Sequence, residues 1–235
     1  SDVYKRQDTL GALLEALRML YHAENYSLAP EYDQYGMVIE STLGREDPWH
    51  VRVAVARAIE ASAPSFRAAD VVPFFVFALQ PGTALSDRHE AVRHAMLEAS
   101  SAVIDARGDD VLSELLSQLE ASLESEHDAV TEAAVVLLGR AARYLPADSA
   151  HVRRIVERLL SALRTPSELV QEAVASCLPA LVRASAAAKD VPSIVDRLFV
   201  DLLHGDKYAT RRGAAYGLAG VVKGRGVSAI RELRI

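Results

Sequence analysis

The chain has 235 residues, half of them hydrophobic, and carries a formal net charge of −6. It is long enough to bury a sizeable core, and no uncharged apolar run approaches the roughly eighteen residues that a membrane span needs. The single cysteine, Cys177, excludes an internal disulfide framework and indicates a reducing, intracellular compartment.

The beginning of the chain, from Ser1 onward, is polar and has no secretory signal. Residues 8–22 have the pattern of a helix that belongs to an incomplete repeat. Because the sequence also lacks a starting Met, we expect a fragment of a longer protein.

One short pattern recurs five times at intervals of about forty residues, which is typical of stacked helical hairpins. The anchors of the five copies, separated by 41, 38, 40 and 40 residues, are Val51, Val92, Val130, Val170 and Thr210. Three positions after each anchor stands a small residue: Ala54, Ala95, Ala133, Ala173 and Gly213. An elongated stack of this kind is more often a binding surface than an active site.

We expect each copy to contain an outer helix A, a turn and an inner helix B that carries the anchor. In the first copy, helix A is predicted over 31–42 and helix B over 49–61, with Pro48 favouring the start of helix B. The later helix pairs are predicted over 70–79 and 87–105, 110–123 and 128–144, 149–163 and 168–184, and 190–203 and 207–223. The copies form one continuous array over residues 31–66, 70–105, 110–145, 149–184 and 190–224, and residues 227–235 open a sixth.

The residue types in each copy explain how neighbouring hairpins would pack. Small residues let helices approach closely, and apolar residues at the anchor and four and eight positions later predict the buried stripe. An aspartate suited to the cap of helix B stands before four of the anchors: Asp47, Asp87, Asp128 and Asp206. Arg52 and Arg93 follow their anchors directly, and we expect them to pair with neighbouring caps. This placement resembles the HEAT repeat family and predicts an all-α, HEAT/armadillo-like helical solenoid.

No sequence motif indicates catalysis. The seven histidines do not cluster, and no P-loop, His-Glu-x-x-His or Gly-x-Ser-x-Gly motif occurs. Gly213, Gly217 and Gly220 share one helical face, which predicts very close packing rather than a dinucleotide site. Cys177 is interpreted as a small buried side chain. We expect no enzyme activity, cofactor, metal or small-molecule substrate.

The charges are unevenly distributed along the chain. Residues 205–235 contain seven basic and two acidic residues, so this end is +5 and the remainder is −11. Residues 109–132 contain eight carboxylates and neither Lys nor Arg. The acidic stretch is interpreted as a solvated helical face or, around Glu114, Glu120 and Glu124, as a surface that receives a basic partner.

Two stretches resemble one family more closely than the repeat pattern requires. Residues 211–224 read Arg-Arg-Gly-Ala-Ala-Tyr-Gly-Leu-Ala-Gly-Val-Val-Lys-Gly, residues 30–36 read Pro-Glu-Tyr-Asp-Gln-Tyr-Gly, and residues 46–49 read Glu-Asp-Pro-Trp. They are similar to the large HEAT-repeat translational activator of the general amino-acid control pathway (general control non-derepressible protein one family), upstream of its elongation-factor-three-like region. The sequence departs from that family at Arg225, where an apolar residue is expected.

The resemblance implies a cytoplasmic protein that associates with ribosomes and promotes activation of the initiation-factor kinase of the amino-acid starvation response. In that family the kinase-binding segment lies further toward the C-terminus, so the kinase would be contacted through other parts of the parent chain. This chain would then be scaffold. The alternative is a generic intracellular HEAT-repeat scaffold for protein partners, unrelated to the ribosome.

Five cations around the fifth helix B are the candidate contacts with the ribosome or its RNA: Lys207, Arg211, Arg212, Lys223 and Arg225. Cationic side chains at the two ends of a helix gain affinity for RNA phosphates by releasing counterions. The alternative is structural, because Arg211 or Arg212 would also suit pairing with cap carboxylates along the stack. Tyr216 is interpreted as a core residue in preference to a platform for base stacking.

Overall fold

The computed structural model describes residues 2–146, 149–183, 189–226 and 228–232, and its regular elements are helices. The α-helices are α1 (Asp2–Leu20), α2 (Ala23–Tyr26), α3 (Trp49–Ser62), α4 (Ala68–Ala78), α5 (Glu90–Arg107), α6 (Leu112–Ser122), α7 (Asp128–Ala141), α8 (Ala150–Ala162), α9 (Glu168–Leu181), α10 (Val191–His204), α11 (Tyr208–Arg225) and α12 (Ser228–Glu232). Short 3-10 turns are Glu40–Thr42, Ala63–Ser65, Ala84–Ser86, Asp109–Val111 and Ala142–Tyr144. Residue 184 of the predicted fourth copy and residues 227 and 233–235 of the predicted sixth lie outside the described residues.

The helices stack in two layers, which confirms the predicted solenoid. Helices α1, α3, α5, α7, α9 and α11 form an inner layer in which each helix packs against the next. Helices α4, α6, α8 and α10 form the outer layer, and each packs against the inner helix that follows it. Because every hairpin rests on its neighbours, the core is one continuous stripe along the stack.

The core follows the predicted stripe from the second copy onward, except that the fifth anchor, Thr210, is only partly buried. On α7 the anchor Val130 and the residues four and eight positions later, Ala134 and Leu138, are buried. Ala133, three positions after that anchor, is also buried, as are its counterparts Ala95, Ala173 and Gly213. A small side chain at such a buried position allows neighbouring helices to approach closely.

The first copy packs differently from the prediction. Ala54 and the anchor Val51 are exposed, whereas Arg52, Ala56 and Ile59 are buried. The guanidinium of Arg52 is fixed by carboxylates of its own repeat and the next, and this turns Arg52 inward on α3. The stripe therefore shifts around the helix, and Ala54 does not lie at a helix contact.

The predicted helix A over 31–42 is wrong. The structure has a hairpin there, with an antiparallel bridge between Tyr32 and Val38. The amide of Gly36 donates to the carbonyl of Asp33 at 3.0 Å, and Gly36 has a φ of +78°. Asp at the first position and Gly at the fourth are preferred in a tight turn, and this local chemistry outweighs the helical spacing of the apolar residues.

Candidate functional site

Helix α11 makes very close contacts along its glycine face, with the end of α8 and with α9. A Cβ atom on Gly213 would lie 1.8 Å from the carbonyl oxygen of Leu163, and one on Gly217 would lie 2.7 Å from the Cδ1 atom of Leu163. A Cβ atom on Gly220 would lie 2.9 Å from the carbonyl oxygen of Ala175. Any larger residue at Gly213 would displace the helix, because the atom it meets is backbone.

A proline in α9 explains one of these close approaches. Pro179 has no N–H, so the carbonyl of Ala175, four residues earlier, has no helical donor. Gly220 packs against that carbonyl, and Gly224 packs against Pro179 and Val182. The glycines therefore fit the surface that the proline creates on α9.

Arg212 connects the fourth and fifth repeats. Its Nε donates to Oε1 of Gln171 at 2.8 Å, its Nη1 to Oε2 of Glu168 at 3.1 Å, and its Nη2 to the carbonyl of Pro166 at 2.8 Å. The Arg212 side chain is only 22% exposed. Arg212 thus has the structural role that was the alternative to RNA contact, and one of its acceptors is the buried side-chain amide of Gln171.

The partner of Arg212, Gln171, is fully buried and has a second role. Its Nε2 lies 2.9 Å from the carbonyl of Leu163, 2.8 Å from that of Thr165 and 2.9 Å from that of Ala209. Gln171 stands one position after the anchor of α9, where the first copy has Arg52. The buried amide of Gln171 therefore connects the fourth and fifth repeats by hydrogen bonds, as the guanidinium of Arg52 connects the first and second.

Arg211 and Tyr216 are also held by the chain itself. Nη1 of Arg211 donates to the carbonyls of Gly205 and Asp206, at 2.6 and 3.2 Å, and so closes the loop before α11. The hydroxyl of Tyr216 lies 2.9 Å from Oε1 of Glu168 and 3.0 Å from Oε1 of Glu172. These hydrogen bonds to carboxylates raise the pKa of Tyr216 to about 12. Its partly buried ring packs against the core.

The remaining candidate cations are exposed but do not form one cluster. Lys207, Lys223 and Arg225 all face solvent. Lys207 precedes α11 and Lys223 lies near its other end, so the helical rise of about 1.5 Å per residue separates them by about 24 Å along the axis. Of the five predicted contacts, Arg211 and Arg212 are therefore fixed by the chain itself. Lys207 is exposed at one end of α11, and Lys223 and Arg225 are exposed at the other.

The acidic stretch of the third copy is partly occupied by the fourth. Arg154 pairs with Glu120 at 2.9 Å and Arg158 pairs with Glu124 at 2.5 Å. Glu120 is 8% exposed. Two of the three carboxylates considered for a basic partner thus serve contacts between outer helices.

A network of arginines and aspartates joins the first and second copies. Arg52 donates from Nη1 to Asp47 at 2.7 Å and from Nε to Asp87 at 2.7 Å, so the predicted pairing with these aspartates is present. The prediction that they cap the inner helices is wrong, because the N-caps of α3 and α5 are Pro48 and His89. Arg93 instead donates to the backbone carbonyl of Asp87, at 2.8 Å. Sequence reasoning missed Tyr21, whose hydroxyl donates to Asp87.

Three further features of the described part of the chain concern metal ligands, membrane helices and the cysteine. No group of three or more His, Cys, Asp or Glu residues there is placed to hold a metal ion. None of the helices described is long and apolar enough to cross a membrane. Burial raises the pKa of the Cys177 thiol, as expected for a packed side chain.

Comparisons with known proteins agree with this architecture. The family model described as "Stalled ribosome sensor GCN1, HEAT repeats" matches residues 1–143. The chain is 38% identical over 236 residues to the human "Stalled ribosome sensor GCN1", an alignment that covers 97% of the chain and 8% of that protein. It is 36% identical over 226 residues to the "eIF-2-alpha kinase activator GCN1" of Saccharomyces cerevisiae, and 35% identical over 230 residues to "Protein ILITYHIA" of Arabidopsis thaliana. Each of these alignments covers 94% of the chain and 8% of the relative.

No solved structure matches the chain. It spans 8% of the length of the curated relatives named above. The family match covers more than half of the chain, and the relatives align over nearly all of it. The resemblance found in the sequence is therefore confirmed, and the chain belongs to the GCN1 HEAT-repeat family.

Proposed function

We propose that this chain is one section of a non-catalytic, ribosome-associated scaffold that acts in the cytoplasm and promotes activation of the starvation-response kinase. The observation that carries this proposal is the match over nearly the whole chain to a stalled ribosome sensor and to an eIF-2-alpha kinase activator. The kinase itself is contacted through other parts of the parent chain. The alternative, a HEAT-repeat scaffold that acts away from the ribosome, has no comparable support.

A scaffold role agrees with how the polar side chains at the repeat boundaries are used. Arg164 pairs with Asp201 at 3.0 Å, and Arg197 pairs with Glu157 at 2.8 Å, between the outer helices of the fourth and fifth copies. These exposed ion pairs connect neighbouring repeats and add modestly to the packing that sets the relative orientation of the hairpins. A stack with fixed orientation presents a long surface of constant shape, which suits recognition of a large particle.

Within this scaffold, the basic end of the chain is our proposed contact with the ribosome. We propose that Lys207, Lys223 and Arg225 contact RNA phosphates directly, since their exposed side chains are accessible to a partner. Arg211 and Arg212 add positive potential from positions that the chain itself fixes. The spacing of about 24 Å between the two exposed groups suits an RNA backbone that follows α11 from one end to the other.

Cosedimentation with ribosomes at a series of salt concentrations tests this proposal. Replacing Lys207, Lys223 and Arg225 with Ala removes about three phosphate contacts, and the slope of log affinity against log salt falls by about 2 to 3. The matched control replaces Arg18, Arg183 and Lys189, which are exposed elsewhere and carry the same total charge. The contact proposal fails if both triple variants bind alike. The alternative scaffold is indicated if the parent protein stays in the supernatant at low salt.

A further inference from the structure

The hairpin over residues 31–42, hereafter the 31–42 hairpin, exposes an unusual amount of apolar and aromatic surface. All of its residues except the last are exposed. Tyr32 is 61% exposed, Tyr35 is 81% exposed and Met37 is 67% exposed. Three large side chains this open, on one short segment, indicate an interaction surface.

Hydrogen bonds of the backbone and of Asp33 and Thr42 hold the 31–42 hairpin in one shape. The amide of Asp33 donates to the carbonyl of Met37 at 2.8 Å, and Oδ1 of Asp33 accepts from the amides of Tyr35 and Met37 at 2.8 and 2.9 Å. At the base, Oγ1 of the buried Thr42 accepts from the amide of Glu31 at 2.9 Å. A rigid segment loses little conformational entropy when a partner binds.

The charge of the hairpin selects the kind of partner. It contains Glu31, Asp33 and Glu40, and neither Lys nor Arg. Carboxylates on the same short segment as exposed tyrosine rings repel phosphate groups and attract cations. Arg45, outside the hairpin, already pairs with Glu31 at 2.9 Å, so a guanidinium can reach this edge.

The neighbouring part of the chain shows the same chemistry in use. The guanidinium of Arg88 lies 4.1 Å from the ring centroid of Tyr26, and Arg88 donates to both carboxylate oxygens of Asp47 at 2.9 Å. Arg52 also lies over the ring of Tyr26, at 5.1 Å. A tyrosine ring and a carboxylate thus bind arginine together. Arginine suits this pair better than lysine because its planar group stacks on the ring and forms two parallel hydrogen bonds.

We propose that the 31–42 hairpin docks an arginine-rich segment of a protein partner. Guanidinium groups of that segment stack on Tyr32 and Tyr35 and pair with Glu40, while Glu31 keeps its pairing with Arg45, and an apolar side chain of the partner covers Met37. This interaction is separate from the proposed contact with RNA, which uses cations at the other end of the chain.

Binding of labelled peptides to the whole chain, measured by fluorescence anisotropy, tests this proposal. The probes are a peptide of alternating Arg and Leu, the same peptide with Lys in place of Arg, and an oligouridylate of equal length. The Arg peptide binds about tenfold more tightly than the Lys peptide, because only Arg stacks and pairs at once. Addition of the Arg peptide slows hydrogen exchange in residues 31–42.

Two variants localise the binding. Replacing both Tyr32 and Tyr35 with Ala lowers the affinity for the Arg peptide about tenfold, because two cation–π contacts are lost. Replacing Tyr208, which is 69% exposed on α11, with Ala leaves the affinity unchanged. Both variants keep the wild-type circular dichroism, because the altered side chains are exposed. Equal affinity for the Arg and Lys peptides, tighter binding of oligouridylate, or an unchanged double variant would each overturn the proposal.

Discussion

Nε of Arg212 donates to the side-chain oxygen of Gln171 at 2.8 Å across the boundary between the fourth and fifth repeats. Gln171 is fully buried, and Arg212 is mostly buried. The same amide lies within hydrogen-bond distance of carbonyls from the end of the fourth outer helix and from the start of α11. One side chain therefore connects three backbone segments at the point where the basic end of the chain begins.

Replacing Gln171 with Leu is expected to lower the free energy of unfolding by about 2 to 4 kcal/mol, because several buried polar groups lose their partner at once. Chemical denaturation followed by circular dichroism measures this change. Gln80→Leu is the matched control, since Gln80 is exposed, and it stays within about 0.5 kcal/mol of the wild type. Equal stability of the two variants would show that the Gln171 network does not stabilise the junction.

Replacing Gly213 with Ala is expected to lower the free energy of unfolding by about 1 to 3 kcal/mol, the usual cost of overpacking. The new Cβ atom would lie 1.8 Å from the carbonyl oxygen of Leu163, so α11 would have to move away from the end of α8. Gly11→Ala in α1 is the control, because nothing lies within 4 Å of that Cβ position. The free energy of unfolding of this control rises by up to about 1 kcal/mol, because Ala favours a helix more than Gly does. Thermal melts that shift in the same direction for both variants would contradict the close approach.

The stacking was predictable because it depends on residue size at a fixed interval. A buried position at a helix crossing accepts only a small side chain, so Ala95, Ala133, Ala173 and Gly213 mark the contacts without knowledge of the partner helix. The contacts of Gln171 were not predictable in this way. Its acceptors come from two segments, the turn after α8 and the start of α11, and only the folded chain brings them together.

Replacing Asp47 with Asn is expected to lower stability most at neutral pH. Hydrogen bonds from Arg52 and then Arg88 hold the pKa of Asp47 well below its usual value of 3.8. Asp47 therefore stabilises the fold above about pH 4, and this contribution is lost as the pH falls below that value. The variant loses about 2 to 3 kcal/mol at neutral pH through weaker charged hydrogen bonds.

Denaturation of wild type and Asp47→Asn over a range of acidic pH checks this prediction. The difference in unfolding free energy narrows as the pH falls below 3.8, the usual pKa of the carboxyl group. Asp109→Asn removes an exposed carboxylate and serves as the control, with a difference near zero throughout. A constant difference between wild type and Asp47→Asn would refute the linkage.

Tyr216→Phe is expected to remove one tyrosine that titrates near pH 12. Hydrogen bonds to Glu168 and Glu172 favour the neutral phenol and raise the pKa of Tyr216 from 10.0 to about 12. Because the pKa is raised in the folded state, this contribution to stability is complete below pH 10 and is lost as the pH rises from 10 to 12. The difference in ultraviolet absorbance between wild type and variant isolates this titration. A transition near pH 10 in that difference would mean that the phenol does not bind the carboxylates.

The 31–42 hairpin shows why a periodic pattern fails at particular residues. Its apolar side chains match a helix, but Asp33 binds nearby amides with its own carboxylate, and Gly36 adopts a positive φ. These local preferences act within five residues and need no partner helix. The combination of Asp and Gly three residues apart was the signal in the sequence that indicated a turn.

Measurements of unfolding free energy and of the salt dependence of ribosome binding together distinguish the structural Arg212 from the exposed Lys223 and Arg225. Arg212→Ala is expected to lower the free energy of unfolding by about 2 kcal/mol, because it removes a largely buried guanidinium that binds Gln171, Glu168 and Pro166. Lys223→Ala and Arg225→Ala change stability by less than about 0.5 kcal/mol, since both side chains are exposed.

The same variants rank in the opposite order when the salt dependence of ribosome binding is measured. Lys223→Ala and Arg225→Ala each lower the salt slope by about 0.7 to 0.9, the value for one phosphate contact, whereas Arg212→Ala leaves it nearly unchanged. Arg18→Ala controls for the loss of one positive charge far from α11. If Arg212→Ala lowers the slope as much as Arg225→Ala does and leaves stability intact, then Arg212 faces RNA in the complex, and the contacts to Gln171 and Glu168 are exchanged on binding.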